Sequence, residues 1–273
     1  MARRARILPG FGLSLGYTVF YLSLLSLIPL AACFFKAFTL SFDEFWAAVW
    51  TDRAVAAYRF TLRSSLYSAL ASVVLGLLIA WVLVRYEFPL KRVFDSLVDL
   101  PFALPTAVAG LVYSSLYVPN GWLGQFLVPL GIKAAYTPLA VLMVLTFLGI
   151  PFVVRTLQPV LESMDADIEE AAYLLGASRL QTFLRVILPA LTPALVTGFA
   201  LSIARAMGEY GSVVFVSGNI PFRTEIAPVL IVNRLEEFAY AEATAIAVVL
   251  LVMSFGMLIV INLLERWSSR SYV

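Results

Sequence analysis

The chain has 273 residues, of which 62% are hydrophobic and only 13% are charged, and its formal net charge is +2. Soluble domains carry about 25% charged residues, so this composition excludes a single soluble core and indicates a membrane protein. The absence of His excludes His-based catalysis and His metal sites, the single Cys33 excludes an internal disulfide, and the small net charge indicates no nucleic-acid partner.

Six segments are apolar over the roughly 20 residues that a bilayer-crossing helix needs. Their apolar runs are continuous rather than alternating, which favours helices over barrel strands. The predicted spans are 13–38, 63–84, 100–118, 137–157, 192–217 and 241–264. The sequence therefore predicts an all-α, polytopic membrane protein with six transmembrane helices in contact with membrane lipid.

The N-terminal basic cluster Arg3, Arg4 and Arg6 precedes the first apolar run, as it does in a secretory signal. The run is longer than the roughly 7–15 residues of a signal core, so we interpret it as an uncleaved span. Most Lys and Arg residues outside the spans fall on the side of this cluster. By the positive-inside rule, both termini are expected in the cytoplasm.

The loops on the other side, 39–62, 119–136 and 218–240, are short. The first carries Trp46 and Trp50 and is predicted to hold a short helix at the lipid headgroups. On the cytoplasmic side, loop 85–98 is short and basic. No internal repeat of the kind that builds many secondary transporters is found.

The third predicted span begins with two prolines, Pro101 and Pro105, which leave backbone carbonyls unpaired. Carbonyl oxygens repel anions, so we interpret the prolines as features of shape or gating. Asp99, at the mouth of this span, is predicted to cap the helix rather than to contact substrate.

The long cytoplasmic segment 162–190 has the pattern of a helical hairpin. Asp167 is a predicted N-cap, and apolar residues follow at i, i+3, i+4 and i+7 up to Leu175. Gly176 suits the left-handed turn that ends a helix. Ser178 and Gln181 form a second capping box. Pro189 is predicted to break that second helix, and Thr192 with Pro193 to begin the fifth span.

Two interpretations of this hairpin remain open at this point. It either docks a soluble partner, to which its acidic residues and small alanines offer a surface, or packs on its own bundle or the membrane. A membrane-surface helix is typically basic, whereas the first helix here is acidic, which favours docking. The acids are Glu162, Asp165, Asp167, Glu169 and Glu170.

Arg205 and Glu209 lie four residues apart in the predicted fifth span. Ionisable groups inside a span usually face an interior or a water path. The pair is therefore a candidate part of a translocation path, with Arg205 attracting an anion. The alternative is a structural pair that neutralises itself at i, i+4 spacing, and we favour it because Glu209 would cancel much of the field of Arg205.

The hairpin resembles the EAA motif of ABC-importer permeases. The residues that carry this resemblance are Glu170, Ala171, Ala172, Gly176, Leu188 and Pro189, with Val186 at the family's Ile position. In that family the hairpin is a coupling helix that docks in a groove of the cytoplasmic ATPase. This chain lacks the phosphate-binding pattern G-x-x-x-x-G-K-[ST], so the resemblance implies that the ATPase is another chain.

A wider resemblance, carried by LPFALPTAVAGL (100–111), IPFVVRTLQPVLE (150–162) and RAMGEYGSVVFVSGNI (205–220), is to the T-type permeases of bacterial sulfate/thiosulfate importers. It implies the type I ABC-importer permease fold, a bacterial inner-membrane location and no catalysis in this chain. The implied partners are a second, W-type permease, two ATP-binding subunits that hold ATP and Mg, and a periplasmic sulfate/thiosulfate-binding protein. No cofactor is expected in the chain itself.

The predicted domain organisation follows from this resemblance. Residues 1–60 hold the N-terminal tail, first span and first outer loop. Residues 61–265 form the permease domain with the coupling hairpin 162–190, and residues 266–273 form a cytoplasmic tail.

Rival functions are a molybdate/tungstate permease, which shares the pattern around Arg205, an ion-coupled secondary anion carrier and, least supported, a membrane-embedded enzyme. The lack of internal repeats disfavours the carrier, and the lack of a catalytic set disfavours the enzyme.

Overall fold

The computed structural model describes residues 11–270, apart from the side chains of residues 166 and 264–270. This part of the chain is built from helices and holds no β-strand, which confirms the all-α prediction. The helices are α1 (Phe11–Ala37), α2 (Phe42–Val49), α3 (Asp52–Arg85), α4 (Lys91–Val98), α5 (Leu100–Ala103), α6 (Thr106–Tyr117), α7 (Gly124–Leu127), α8 (Pro138–Ser163), α9 (Ala166–Leu174), α10 (Arg179–Met207), α11 (Val213–Val216), α12 (Ala227–Glu236) and α13 (Tyr240–Arg270).

Five helices are long and apolar enough to cross a membrane: α1, α3, α8, α10 and the Tyr240–Leu263 part of α13. They contain 24 to 34 residues, and at about 1.5 Å per residue each exceeds the roughly 30 Å of a hydrocarbon core. They coincide with five of the six predicted spans, so the chain is a multi-pass membrane protein.

The third predicted span, 100–118, is not one continuous helix. Leu104 is extended (ψ 133°) and Pro105 precedes the first residue of α6, so the segment is split into α5 and α6. Proline disfavours a helical conformation in the residue before it and donates no backbone N–H. With 12 residues, α6 is about 18 Å long. The predicted count of six spanning helices is therefore not met by continuous helices in the described chain.

The centre of the bundle is the packing of α3, α8 and α10. Small residues at intervals of three or four form the buried stripe of α3, and they include Ser65, Ser72 and Gly76. A Cβ atom at Gly149 of α8 would overlap the hydroxyl oxygens of Ser72 and Ser202. Helices that lack a hydrophobic driving force between them associate through such close backbone approach.

The two ends of the bundle hold different segments of the chain. At one end, where α3 and α8 finish, lies segment 162–190, and we call this the hairpin end. At the opposite end, α2 begins with a capping box in which Ser41 and Glu44 bond each other's backbone N–H groups. This confirms a short helix in loop 39–62. The backbone and side-chain donors of Ser41 lower the pKa of Glu44.

Three loops contain helices that the sequence did not predict. Loop 85–98 holds α4, loop 119–136 holds the short α7, and loop 218–240 holds α12. Several charged residues used to predict the orientation in the membrane lie outside the described part of the chain: Arg3, Arg4, Arg6 and the side chain of Arg266. Tail residues 271–273 lie outside it as well. The cytoplasmic location of both termini therefore stays a prediction.

Candidate functional site

The first helix of the hairpin, α9, begins one residue after Asp165 rather than after the predicted Asp167. Asp165 is extended (ψ 131°) and makes no side-chain cap bond, and Asp167 lies within the first turn. An acid in the first turn interacts favourably with the positive end of the helix dipole. The capping prediction was wrong because Asp167 contributes through its charge and not through a hydrogen bond to the helix start.

The glycine turn is confirmed. Gly176 has φ +82°, and a Cβ atom there would meet nothing within 4 Å. The N–H of Gly176 donates to the carbonyl of Tyr173 at 2.9 Å, and that of Ala177 donates to Ala172 at 3.0 Å. These two bonds are the Schellman pattern, which satisfies the last carbonyls of the helix.

The second helix of the hairpin begins with the predicted capping box. Ser178 N–H donates to Gln181 Oε1 at 2.8 Å, and Gln181 N–H donates to Ser178 Oγ at 3.3 Å. The break predicted at Pro189 is wrong, since α10 runs without interruption from Arg179 to Met207.

Within α10, a π-helical turn at Phe183–Ile187 lies just before Pro189. The wider turn changes the hydrogen-bond ladder directly before Pro189, so the missing N–H of proline does not end the helix. Thr192 is accordingly inside α10, where its hydroxyl donates to the carbonyl of Leu188 at 2.9 Å. It is not the N-cap of a new helix.

Several apolar side chains of the hairpin are exposed. Tyr173, Leu174 and Leu175 are 77%, 84% and 89% exposed, and Leu180 is exposed as well. Four of the five acids of the hairpin, all but Glu169, are also exposed. The hairpin therefore does not bury its apolar face on its own bundle. An exposed apolar patch with a polar rim is typical of a protein interaction surface.

The motif residues divide into two groups. Glu170, Ala171, Ala172 and Gly176 lie together on the exposed helix and its turn. Leu188 and Pro189 are half-buried at the start of the regular part of α10. Beside them, Ile187 packs into a core cluster with Leu83, Leu161 and Leu191. The first group presents the surface, and the second anchors the segment that carries it.

A contact that sequence reasoning missed holds the hairpin against α3. Glu169 forms an ion pair with Arg85, the last residue of α3. The guanidinium of Arg85 lies 5.5 Å from the centroid of the Trp81 ring, and this ring meets Phe183 edge to face at 5.6 Å. The partners are 84 residues apart, so no local pattern indicates the pair.

The second candidate site is the pair Arg205 and Glu209, which the structure brings together in an ion pair. Glu209 is 2% exposed and lies just beyond the end of α10 at Met207, not within a span that reaches residue 217. Its second carboxylate oxygen accepts from Ser212 N–H at 2.8 Å and Ser212 Oγ at 2.9 Å. By accepting these hydrogen bonds, Glu209 fixes the conformation of the segment that follows α10.

This organised segment packs closely on α6. A Cβ atom at Gly110 would overlap the backbone of Ser212, and a Cβ atom at Gly211 would overlap Thr106 Oγ1. The carboxylate of Glu209 is enclosed, whereas the Arg205 side chain keeps 32% of its surface exposed. The Arg205 side chain is therefore only partly enclosed.

A third charged cluster joins α4 and α5 to α8 near the hairpin end. Arg155 donates to Asp99 through Nε at 2.8 Å and Nη2 at 2.6 Å, and to Asp95 through Nη1 at 2.7 Å. The predicted helix cap at Asp99 is wrong, because the carboxylate is turned to Arg155 and makes no cap bond. The amide of Gln158 and the guanidinium of Arg155 lower the pKa of Asp95.

Comparison with known proteins adds a family match. Residues 72–272 match the family described as binding-protein-dependent transport system inner membrane component. The sulfate transport system permease protein CysT of Synechocystis sp. is 49% identical over 93% of this chain and 88% of its own. The protein of that name from Escherichia coli (strain K12) is 47% identical over 98% of this chain and 97% of its own.

Solved structures resemble the fold at low identity. A chain of a bacterial ABC transporter involved in the import of the acidic polysaccharide alginate matches with a TM-score of 0.76 and 18% identity, over 93% of both chains. A chain of the inward-facing MetNI methionine ABC transporter matches with a TM-score of 0.60 and 16% identity, over 84% of this chain and 99% of that one.

Proposed function

The chain belongs to the family of binding-protein-dependent transport system inner membrane components, and we propose that it is the permease subunit of an ATP-driven sulfate importer. The likeness to solved ABC-transporter chains confirms the predicted permease fold. In our proposal the chain forms half of a transmembrane pore and carries out no covalent chemistry itself.

The observation that carries the coupling part of the proposal is the exposed hairpin. Its Schellman turn at Gly176 is fully formed, yet Tyr173, Leu174 and Leu175 contribute almost nothing to the core of the chain. Exposed apolar side chains beside acids suit docking into an apolar groove with a basic rim. A cytoplasmic ATPase that binds ATP and Mg is the partner that we assign to this surface.

The substrate assignment is supported by relatives that carry the name sulfate transport system permease protein and match along nearly the whole chain. Thiosulfate, a tetrahedral dianion like sulfate, is the second substrate that we propose. A second, W-type permease would complete the pore, two ATPase subunits would bind below it, and a periplasmic binding protein would deliver the anion.

This assembly fixes an orientation in the bacterial inner membrane. We place the hairpin end and both termini in the cytoplasm and the end with α2 and α12 on the periplasmic side. Closure of the ATPase dimer on ATP would draw the two coupling hairpins together and open the cavity outward, and hydrolysis would reset it. Arg205, whose side chain stays partly exposed beside the enclosed Glu209, is the candidate contact for an anion that passes through.

The proposal is tested by reconstituting the chain in liposomes with its co-encoded ATPase, second permease and binding protein. ATP-dependent uptake of labelled sulfate that excess thiosulfate suppresses and excess molybdate does not is the expected result. ATP-driven uptake of molybdate alone would keep the architecture and overturn the substrate. Uptake independent of ATP would overturn the coupling role and favour a secondary carrier.

A further inference from the structure

Two neighbouring acids of the hairpin face different surroundings. Glu170 is exposed and has no hydrogen bond or ion pair within the described part of the chain. The side chain of Glu169 is 32% exposed and is paired with Arg85, whose side chain is 23% exposed. Adjacent residues of a helix point about 100° apart. Glu170 is therefore free for a partner, whereas Glu169 is engaged by α3.

The Arg85–Glu169 pair is partly enclosed, unlike an ion pair on an open surface. Trp81, Tyr173, Phe183 and Ile187 line the same small cavity as Glu169, with a volume of about 260 Å³. Arg85 Nε is buried and has no hydrogen-bond partner within the described residues. Exposed pairs contribute little because water and salt screen them, but removing one member of a half-buried pair leaves the other charge poorly solvated.

The position of the Arg85–Glu169 pair determines which helices a displacement of α9 reaches. The chain connects α9 to α8 on one side and to α10 on the other, and both connections pass through short turns at 164–165 and 175–178. Neither turn leads to α3. The Arg85–Glu169 pair, supported by the contact of Trp81 with Phe183, joins the hairpin to the third member of the central helix packing.

We propose that Arg85 is a positioning residue for transport: its ion pair with Glu169 fixes the hairpin to the end of α3, so that a displacement imposed on the hairpin moves α3 together with α8 and α10. This inference rests on the proposed function, because it assigns the route by which the coupling hairpin acts on the bundle. Arg85 touches neither the docking surface nor the Arg205 site.

The test uses the complete reconstituted importer and measures sulfate uptake per ATP hydrolysed, together with the amount of ATPase subunit retained on the permease. The variants are Arg85→Gln, Glu169→Gln and the reversed pair Arg85→Glu with Glu169→Arg. Glu87→Gln is the matched control, because it removes the acid of an exposed ion pair with Lys91 just beyond the end of α3 and lies outside the hairpin.

Each single variant is expected to lower uptake per ATP by about fivefold or more, the ratio that corresponds to the coupling energy of contacting residues. The retained ATPase and the Glu87→Gln control should stay at the wild-type level, and the reversed pair should recover most of the loss. Wild-type uptake per ATP in both single variants would overturn the proposal. A reversed pair as defective as the two single losses combined would do so too.

A second measurement separates this proposal from the proposed function. Amide hydrogen exchange of α9 in the solubilised permease needs neither substrate nor ATPase, and it should be faster in Arg85→Gln than in wild type and unchanged in Glu87→Gln. Unchanged exchange in Arg85→Gln would show that the pair does not fix the hairpin. A wild-type complex that imports no sulfate would overturn the proposed function, while the exchange result would still decide the role of Arg85.

Discussion

The guanidinium of Arg53 holds the carboxylate of Glu225 through two parallel hydrogen bonds, 2.8 Å from Nε to Oε2 and 2.6 Å from Nη2 to Oε1. Glu225 is 2% exposed, and Asn233 of α12 donates a third bond to it at 3.0 Å. The pair joins the first turn of α3 to the segment that leads into α12. A charge this enclosed is stable only while it is paired and hydrogen-bonded.

Replacing Arg53 is therefore expected to loosen the end of the bundle opposite the hairpin. Arg53→Gln leaves the Glu225 carboxylate buried with fewer donors and should lower the free energy of unfolding by about 2–3 kcal/mol. Denaturant unfolding of the purified protein in detergent measures the change. Arg223→Gln is the control, since Arg223 is exposed on the same loop and has no ion pair among the described residues. Equal stability of the two variants would contradict this account of Glu225.

The hairpin turn gives a second prediction with a matched control. Gly176→Pro forces φ to about −65° where the turn has φ +82°, and it removes the N–H that bonds Tyr173. We expect normal insertion but a loss of most ATP-coupled uptake. Gly131 also has a positive φ, +77°, and its N–H bonds Val128 near the start of α8. If Gly131→Pro abolished coupling to the same extent, the loss would be general misfolding and not a hairpin effect.

Arg205 is predicted to act in anion passage through its charge. Because Ser212 continues to donate twice to Glu209, the segment after α10 should stay folded in Arg205→Gln. The expected outcome is reduced sulfate uptake in Arg205→Gln with unchanged assembly, and retained uptake in Arg205→Lys. Comparison of initial uptake rates in liposomes checks this. Equal rates in wild type, Arg205→Lys and Arg205→Gln would leave the pair with a structural role alone.

The Arg155 cluster predicts a dependence of stability on pH. The pKa of Asp95 is lowered in the folded protein, so its contribution is complete above the unfolded value of about 4 and is lost as the pH falls through the folded value. Asp95→Asn should therefore be less stable than wild type at pH 7, and the difference should narrow below about pH 4. Unfolding in detergent across this range measures it. A difference that stays constant with pH would show that the Asp95 charge contributes nothing.

Local signals predicted the local structure well. The five long helices follow from apolar runs of roughly 20 residues. Patterns within a few residues indicate the helix after Ser41, the left-handed turn at Gly176 and the capping box at Ser178. Two wrong predictions of helix boundaries occur at prolines. Pro105 splits a segment that its composition suggested was continuous, whereas a π turn allows α10 to continue through Pro189.

The long-range ion pairs could not be predicted from the sequence, because they join distant parts of the chain. Glu225 lies 172 residues from Arg53, and Asp99 lies 56 residues from Arg155. Only the packing of the bundle decides which of several acids each arginine meets. Arg205 and Glu209, four residues apart, were the one pair whose spacing revealed it in advance.

Docking of the ATPase on the exposed hairpin surface can be measured by cross-linking. In a Cys33→Ser background, which removes the single native cysteine, Leu174→Cys is labelled with a short reagent that carries a maleimide and a photoreactive group. Illumination of the assembled importer then bonds the photoreactive end to whichever chain lies beside it. We expect a product that contains this chain and the ATPase subunit. The product should be absent when the cysteine is placed instead at Phe222, which is exposed at the opposite end of the bundle. Failure of Leu174→Cys to form this product, or equal product from Phe222→Cys, would contradict the docking of the ATPase on the hairpin.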